Sequence, residues 1–257
     1  MPDKSPPENR HQLITVYGRN AVFEALCDPN IACHRLHWAT SNKVSAATER
    51  ILSAAASRGV PVREHSRTTL SRISRNGKQD QGVALDIHCP EFATPEALFG
   101  KIDSPAIRVL ALDGITNPQN VGMIIRAAVA GGMDAILYPQ RGVAALGPLV
   151  IKASAGVIFR APIVRCDHLQ AALEMAQNHG FAIATLEGRA NTSLFDYKPQ
   201  GGVVYVLGGE TQGVARETSQ IADVQLGIPM AGQVESLNVA MAAVLVAYHA
   251  KRSDQTG

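Results

Sequence analysis

The sequence carries no GxGxxG after the first strand expected in either half, and no GxxxxGK followed by Ser or Thr. Neither a dinucleotide-binding fold nor a P-loop is therefore supported. GxSxG and HExxH are missing too, which removes the serine-hydrolase elbow and the zinc-protease helix. The four cysteines, Cys27, Cys33, Cys89 and Cys166, form no CxxC pair, so a zinc site or disulfide framework is not expected and a reducing cytosol suits the chain. His65, His88, His168 and His179 have no partner at metal-ligand spacing, and no metal is expected. No apolar run approaches a membrane span, and the polar start MPDKSPPENRHQ has no apolar signal core. These absences give a soluble, cytoplasmic protein with no membrane partner as the expectation. A net charge of only +2 means that any basic surface must be local.

What is present is ample core material: 46% hydrophobic residues against 18% charged, in 257 residues, enough for one large domain or two small ones. Residues 1–12 read as a disordered leader. From Leu13 strands and helices alternate: LITVY, a helix Ala21–Cys27, a strand His34–Thr40, and a helix Lys43–Arg58 stopped by Gly59. The strand Val60–Glu64, helix Thr68–Ile73 and strand Val83–Ile87 complete a small α/β domain over residues 13–88. Arg19 follows Gly18 in its first turn, and Arg63, Arg67, Arg72, Arg75 and Lys78 cluster near the loop Asn76–Gly82. That cluster reads either as a solvated charged face or as a phosphate-contacting patch.

Residues 89–105 (CPEFATPEALFGKIDSP), with three prolines, read as a linker. Residues 106–257 then read as a second α/β domain with a largely parallel sheet, opening on the strand Ala106–Leu112, apolar but for Arg108. Three of its loops carry chemistry. In LDGITNPQNVGMIIR a buried strand ends at Asp113, and Asn117, Asn120 and Arg126 follow. Arg126, a turn beyond Gly122, is expected to face the same cleft as Asn120. VVYVLGGETQG sets Gly208, Gly209 and Gly213 around Glu210, where a ligand can approach backbone. LGIPMAGQVESLNVAMAAVLVAYH ends a strand at Pro229, offers Ser236 as helix N-cap beside Asn238, and continues as a helix from Leu237 to Tyr248. This helix is apolar on nearly all sides and expects burial in a core or a subunit interface.

In this order and at these separations, NPQNVGMIIR, LGGETQG and IPMAGQVESLNVAMA resemble the three signature motifs of the SpoU (TrmH-like) family. These are SPOUT-class RNA ribose 2′-O-methyltransferases dependent on S-adenosylmethionine. The first domain, from VYGRNA to about QGV, is similar to the L30e-like substrate-binding domain of many members. The whole is most similar to the bacterial enzymes that modify a guanosine of large-subunit (23S) ribosomal RNA. The resemblance implies a C-terminal deep trefoil knot and a homodimer acting on RNA. It places cofactor binding on Leu207, Gly208, Gly209, Ile228, Pro229, Met230 and Leu237, and catalysis on Asn120, Arg126, Glu210, Ser236 and Asn238. A family-like KASAG at residues 152–156 is retained, while Asn117 stands where many members have aspartate. Methylation of transfer RNA, methylation of ribosomal RNA that confers antibiotic resistance, a catalytically inactive RNA-binding assembly factor, and a small-molecule α/β enzyme with a chance motif are the rival expectations.

Overall fold

Apolar strand residues alternating with short amphipathic helices can bury their surfaces only by stacking helices on sheets, and the chain does this twice. The computed structural model describes residues 13–29, 31–74, 76–88, 92–100, 107–188, 190–232 and 234–255. They divide into two units, residues 1–91 with 146–148 and residues 92–145 with 149–257.

The first unit has strands β1 (Leu13–Tyr17), β2 (Cys33–Ala39), β3 (Val62–His65) and β4 (Val83–His88), with helices α1 (Arg19–Cys27), α2 (Ala46–Ser57) and α3 (Arg67–Ser74). Its sheet runs β1-β4-β2-β3, with β4 antiparallel to β1 and β2, and β3 parallel to β2. Helix α2 starts at Ala46, three residues later than its periodicity suggests, because Ser45 and Thr48 form a reciprocal capping box. Arg58, just past its end, closes the turn after α1: its guanidinium donates to the carbonyls of Ala25, Leu26, Asp28 and Ile31 at 2.6–3.3 Å. Arg58→Met is expected to lower unfolding free energy by about 2–3 kcal/mol, since it strands several part-buried carbonyls at once. Arg58→Lys should recover only part of this, because an ammonium cannot fork across them; denaturant titration reads both.

A polar chain crosses the sheet of this unit. Thr15 Oγ1 donates to Asp86 Oδ1 at 2.7 Å, Asp86 Oδ2 lies 2.8 Å from His37 Nε2, and His37 Nδ1 lies 2.9 Å from His65 Nε2. Burial opposes the charge on Asp86, but the hydrogen bonds from His37 and Thr15 and the fields of His37 and His34 outweigh it and hold the carboxyl below its usual range. Burial first, then His37, Arg63 and Arg35, hold His65 below the usual imidazole range. A depressed carboxylate contributes stability that is lost as pH falls through its folded value. A depressed histidine resists the proton, so the fold is disfavoured once pH drops below the unfolded histidine value. The two effects share a direction but not a window. From about pH 7 to about pH 5 the histidine lowers the melting temperature of this unit, and His65→Gln should flatten that slope in calorimetry. The carboxylate's contribution is lost only as pH falls to about 4 and below.

Among its described residues the second unit has seven strands, all parallel: β5 (Arg108–Asp113), β6 (Ala135–Pro139), β7 (Ile163–Cys166), β8 (Ala182–Leu186), β9 (Thr192–Ser193), β10 (Val203–Gly208) and β11 (Val224–Gly227). Helices α4 (Pro95–Phe99), α5 (Pro118–Gly131), α6 (Pro148–Ala153), α7 (Leu169–Asn178), α8 (Arg216–Gln220) and α9 (Val239–Gln255) accompany them. The strand order β7-β6-β5-β10-β8-β11-β9 turns back at the β5–β10 pair, where Asp113 aligns with Gly208. The crevice beyond the strand ends at such a reversal is where open α/β sheets bind ligands.

Two expectations are corrected here. Within the expected linker 89–105, residues 95–99 form helix α4, capped by Thr94, and Phe99 is buried edge-on against Phe181 at 5.1 Å. Proline misled the reading: Pro95 occupies a first-turn position, where no N–H is needed. Helix α9 begins at Val239, so Ser236 and Leu237 precede it, and Asn238 is its cap, accepting from Ala240 N at 2.9 Å. Within the chain α9 buries one face. Ala243, Val246, Ala247 and Ala250 are buried, and Gly131 of α5 leaves room for Ala247 at a distance no side chain would allow, but Met241 is 61% exposed and Val244 and Tyr248 are also exposed.

Candidate active site

The loops after β5, β10 and β11 meet through one residue. Asn120, in the first turn of α5 behind the Asn117 cap, is 5% exposed. Its amide donates to Glu210 Oε1 in the loop after β10, and its carbonyl oxygen accepts from Asn238 Nδ2 at 3.3 Å. Asn238 spends its own oxygen on the α9 cap, so the three motifs form one directed chain, Asn238 to Asn120 to Glu210. An amide suits the central place because it offers a donor to a carboxylate and an acceptor to another amide.

Beside this chain lies a cavity of about 440 Å³, lined by Leu186, Glu187 and Gly188 after β8, by 207–210 and Gly213, and by Leu226, Ile228, Met230 and 236–239 with Ala242. That volume lies within the usual range for a small-molecule site. Its wall is formed by backbone because side chains are sterically forbidden there: a Cβ on Gly208 would lie 2.1 Å from the Gly213 carbonyl carbon and Val214 N, and one on Gly209 would lie 2.3 Å from Gly114 O. Asp113 ties the two loops by accepting from Ala215 N at 2.8 Å. Two carboxylates, Glu187 and Glu210, line the cavity, and no lysine or arginine does so among the described residues. Such a lining suits a ligand with a cationic centre and disfavours a phosphate.

Of the residues expected at the site, the cavity brings together Leu207, Gly208, Gly209, Ile228, Met230 and Leu237 with Glu210, Ser236 and Asn238; Pro229 is not part of the lining. Asn120 stands behind it, holding Glu210 and Asn238. Arg126 is elsewhere. It is exposed, on an α5 stripe with Gln119, Met123 and Ala130, and does not line the cavity. Six residues after Asn120 amount to about 240° of helix, which carries the side chain away from it. Leu186, Glu187, Gly188, Leu226, Val239 and Ala242 line it without having been foreseen, and for Glu187 a carboxylate right after a strand was the only signal.

In the first unit, Arg67 is engaged internally. It pairs with the fully buried Asp80 at 2.8 Å and donates to Gly77 O at 3.1 Å, while Asp80 also accepts from Ser74 Oγ and Gly82 N at 2.9 Å. Its first duty is to shape the loop 76–82. Arg63, Arg72 and Lys78 are exposed, Arg19 is half-buried with its backbone N–H on Gln81, and Arg75 lies outside the described residues, as does the expected leader. Among the described residues no group of His, Cys, Asp or Glu could hold a metal, and no helix is long and apolar enough to cross a membrane.

A family model described as the SpoU rRNA Methylase family matches residues 108–248, and one described as RNA 2′-O ribose methyltransferase substrate binding matches residues 15–93. The chain is 33% identical over 243 residues to an uncharacterized tRNA/rRNA methyltransferase of Mycobacterium ulcerans, covering 94% of this chain and 78% of that one. Two solved structures share the fold. The SpoU methyltransferase AviRb from Streptomyces viridochromogenes, in complex with the cofactor AdoMet, has a TM-score of 0.69 at 20% identity, covering 96% of this chain and 93% of that one. An AdoMet-bound rRNA methyltransferase from Sinorhizobium meliloti has a TM-score of 0.69 at 22% identity, covering 94% and 88%.

Proposed function

This chain belongs to the SpoU rRNA methylase family of RNA methyltransferases, and we propose that it moves a methyl group from S-adenosylmethionine to the ribose 2′-hydroxyl of a guanosine in 23S ribosomal RNA. The observation that carries the reading is the Asn238–Asn120–Glu210 chain, which joins three distant loops at the edge of a ligand-sized cavity.

The residues present fit the cofactor: two carboxylates for a cationic ligand, a glycine-built wall, and the aliphatic surface of Leu186, Leu226 and Ile228 for a purine. Leu207, Gly208, Gly209, Ile228, Met230 and Leu237 would hold it, with Pro229 setting the backbone between Ile228 and Met230. When bound, S-adenosylmethionine supplies a methyl electrophile on a sulfonium.

A ribose hydroxyl is a weak nucleophile at neutral pH, so the protein must orient its oxygen and favour the alkoxide. Asn120 and Asn238 hold the edge of the site against which the target nucleotide is oriented, Ser236 offers a hydroxyl there, and Glu210 fixes the loop after β10. Arg126 acts as a fixed positive charge that stabilises the developing alkoxide and grips a phosphate, while the hydroxyl proton leaves to another acceptor. The protein works as a homodimer. The exposed apolar face of α9 and the Met123–Arg126 stripe of α5 are the surfaces a second copy covers, which lets Arg126 serve the partner's cavity. The C-terminal segment after β10 forms the trefoil knot, and the first unit grips RNA with Arg19, Arg63, Arg72 and Lys78.

Methyl transfer from radiolabelled S-adenosylmethionine to protein-free ribosomal RNA and to transfer RNA, followed by nucleoside analysis, tests this. The expected product is 2′-O-methylguanosine in large-subunit RNA. Label confined to transfer RNA would move the substrate, and no label in either RNA would overturn the catalytic reading.

A further inference from the structure

Glu187 has so far counted only as one of the two carboxylates lining the cavity, with no ligand atom assigned to it. It follows the last residue of β8, with its backbone N–H on Leu226 O at 2.9 Å, and its side chain lines the cavity. Two hydroxyls converge on one of its oxygens: Thr185 Oγ1 at 3.1 Å and Ser219 Oγ at 2.8 Å both donate to Oε1. Thr185 is fully buried and Ser219 lies on α8, so the carboxylate is held from a strand and a helix at once. No described residue donates to Oε2. A carboxylate fixed through one oxygen, with the other left to a cavity, is an acceptor prepared for a ligand's donors.

We infer that Glu187 is a specificity-determining residue that accepts hydrogen bonds from the ribose hydroxyls of the adenosyl group, an inference that rests on the cofactor reading above. Its neighbours decide between the donors such a ligand offers. Leu186, beside Glu187 in sequence, pairs in register with Leu226, and both line the cavity with Ile228. This aliphatic wall suits a nucleoside face, so the carboxylate beside it meets the sugar. The hydroxyls on Oε1 also spread its charge, which favours neutral donors over the ammonium of an amino-acid tail. A carboxylate at a strand end taking a ribose diol is a general solution in nucleotide-binding α/β folds.

Calorimetric titration of the full chain separates the possibilities. S-Adenosylhomocysteine, 5′-methylthioadenosine (which keeps the diol but lacks the amino-acid tail) and 2′,3′-dideoxy-5′-methylthioadenosine are the probes. Glu187→Gln should weaken the first two by about 10- to 100-fold and leave the dideoxy compound unchanged, as expected for loss of a charge-assisted hydrogen bond. Thr185→Val, which keeps the shape and loses the hydroxyl, should weaken the same two by about 3- to 10-fold. Equal loss for the dideoxy compound would make Glu187 a structural residue, and loss for S-adenosylhomocysteine alone would place it on the ammonium; either overturns the inference. If the unaltered protein bound no S-adenosylhomocysteine, the cofactor reading itself would fall, and this inference with it.

Discussion

Arg126→Ala is expected to lower the single-turnover rate of methyl transfer by about three orders of magnitude while leaving S-adenosylhomocysteine affinity within about twofold, because a charge aimed at a developing oxyanion acts in the transition state and not on the cofactor. The structure sharpens the experiment. Arg126 is exposed and does not line the cavity of its own chain, whereas Asn120 is buried behind it. If the arginine serves the second copy, Arg126→Ala and Asn120→Ala chains refolded together must regain activity that neither has alone. Random pairing makes half the dimers mixed, each with one intact site, so recovery should reach about a quarter of the unaltered value. No recovery on mixing would place Arg126 in the site of its own chain after RNA binds. A parallel loss of S-adenosylhomocysteine affinity in Arg126→Ala would show instead that the residue supports the cavity.

The second large effect is expected at Gly208. A Cβ there would lie 2.1 Å from two backbone atoms, the Gly213 carbonyl carbon and Val214 N, so nothing flexible can give way. Gly208→Val should cost about 3 kcal/mol or more by overpacking, or about 6–12 °C in melting temperature for a chain of this size. It should also abolish binding of S-adenosylhomocysteine, since the wall that moves is the cavity wall. Gly132→Ala is the contrasting change: its Cβ meets nothing within 4 Å, and its cost is limited to the left-handed conformation of a helix C-cap. A melt in which Gly208→Val unfolds like the unaltered chain would show that the loop after β10 adapts, and that the double glycine is not sterically required.

The amino-acid order determined the element types by itself, because hydrophobic period and cap chemistry are local. The continuous apolar runs Val109–Leu112 and Val203–Leu207 are buried parallel strands, and Asn117 does cap α5. The order and spacing of three motifs likewise named a family whose model matches residues 108–248. The misreadings share one cause: what decided them lies far away in sequence. Pro95 looked like a linker residue until Phe181 gave Phe99 a place to be buried. Ser236 had the chemistry of a cap, but Asn238 holds that place, with its side-chain amide on Asn120, 118 residues away. Arg67 was one cation in a basic patch until the buried Asp80 claimed it. Glu187 was an ordinary acidic residue until Ser219, 32 residues on, came to share its oxygen with Thr185. The sequence thus determined which elements form and which chemistry is carried. Only the tertiary structure decided which polar group meets which, because a hydrogen bond is settled over a few ångströms, and those are set by packing between parts of the chain that carry no sequence mark of each other.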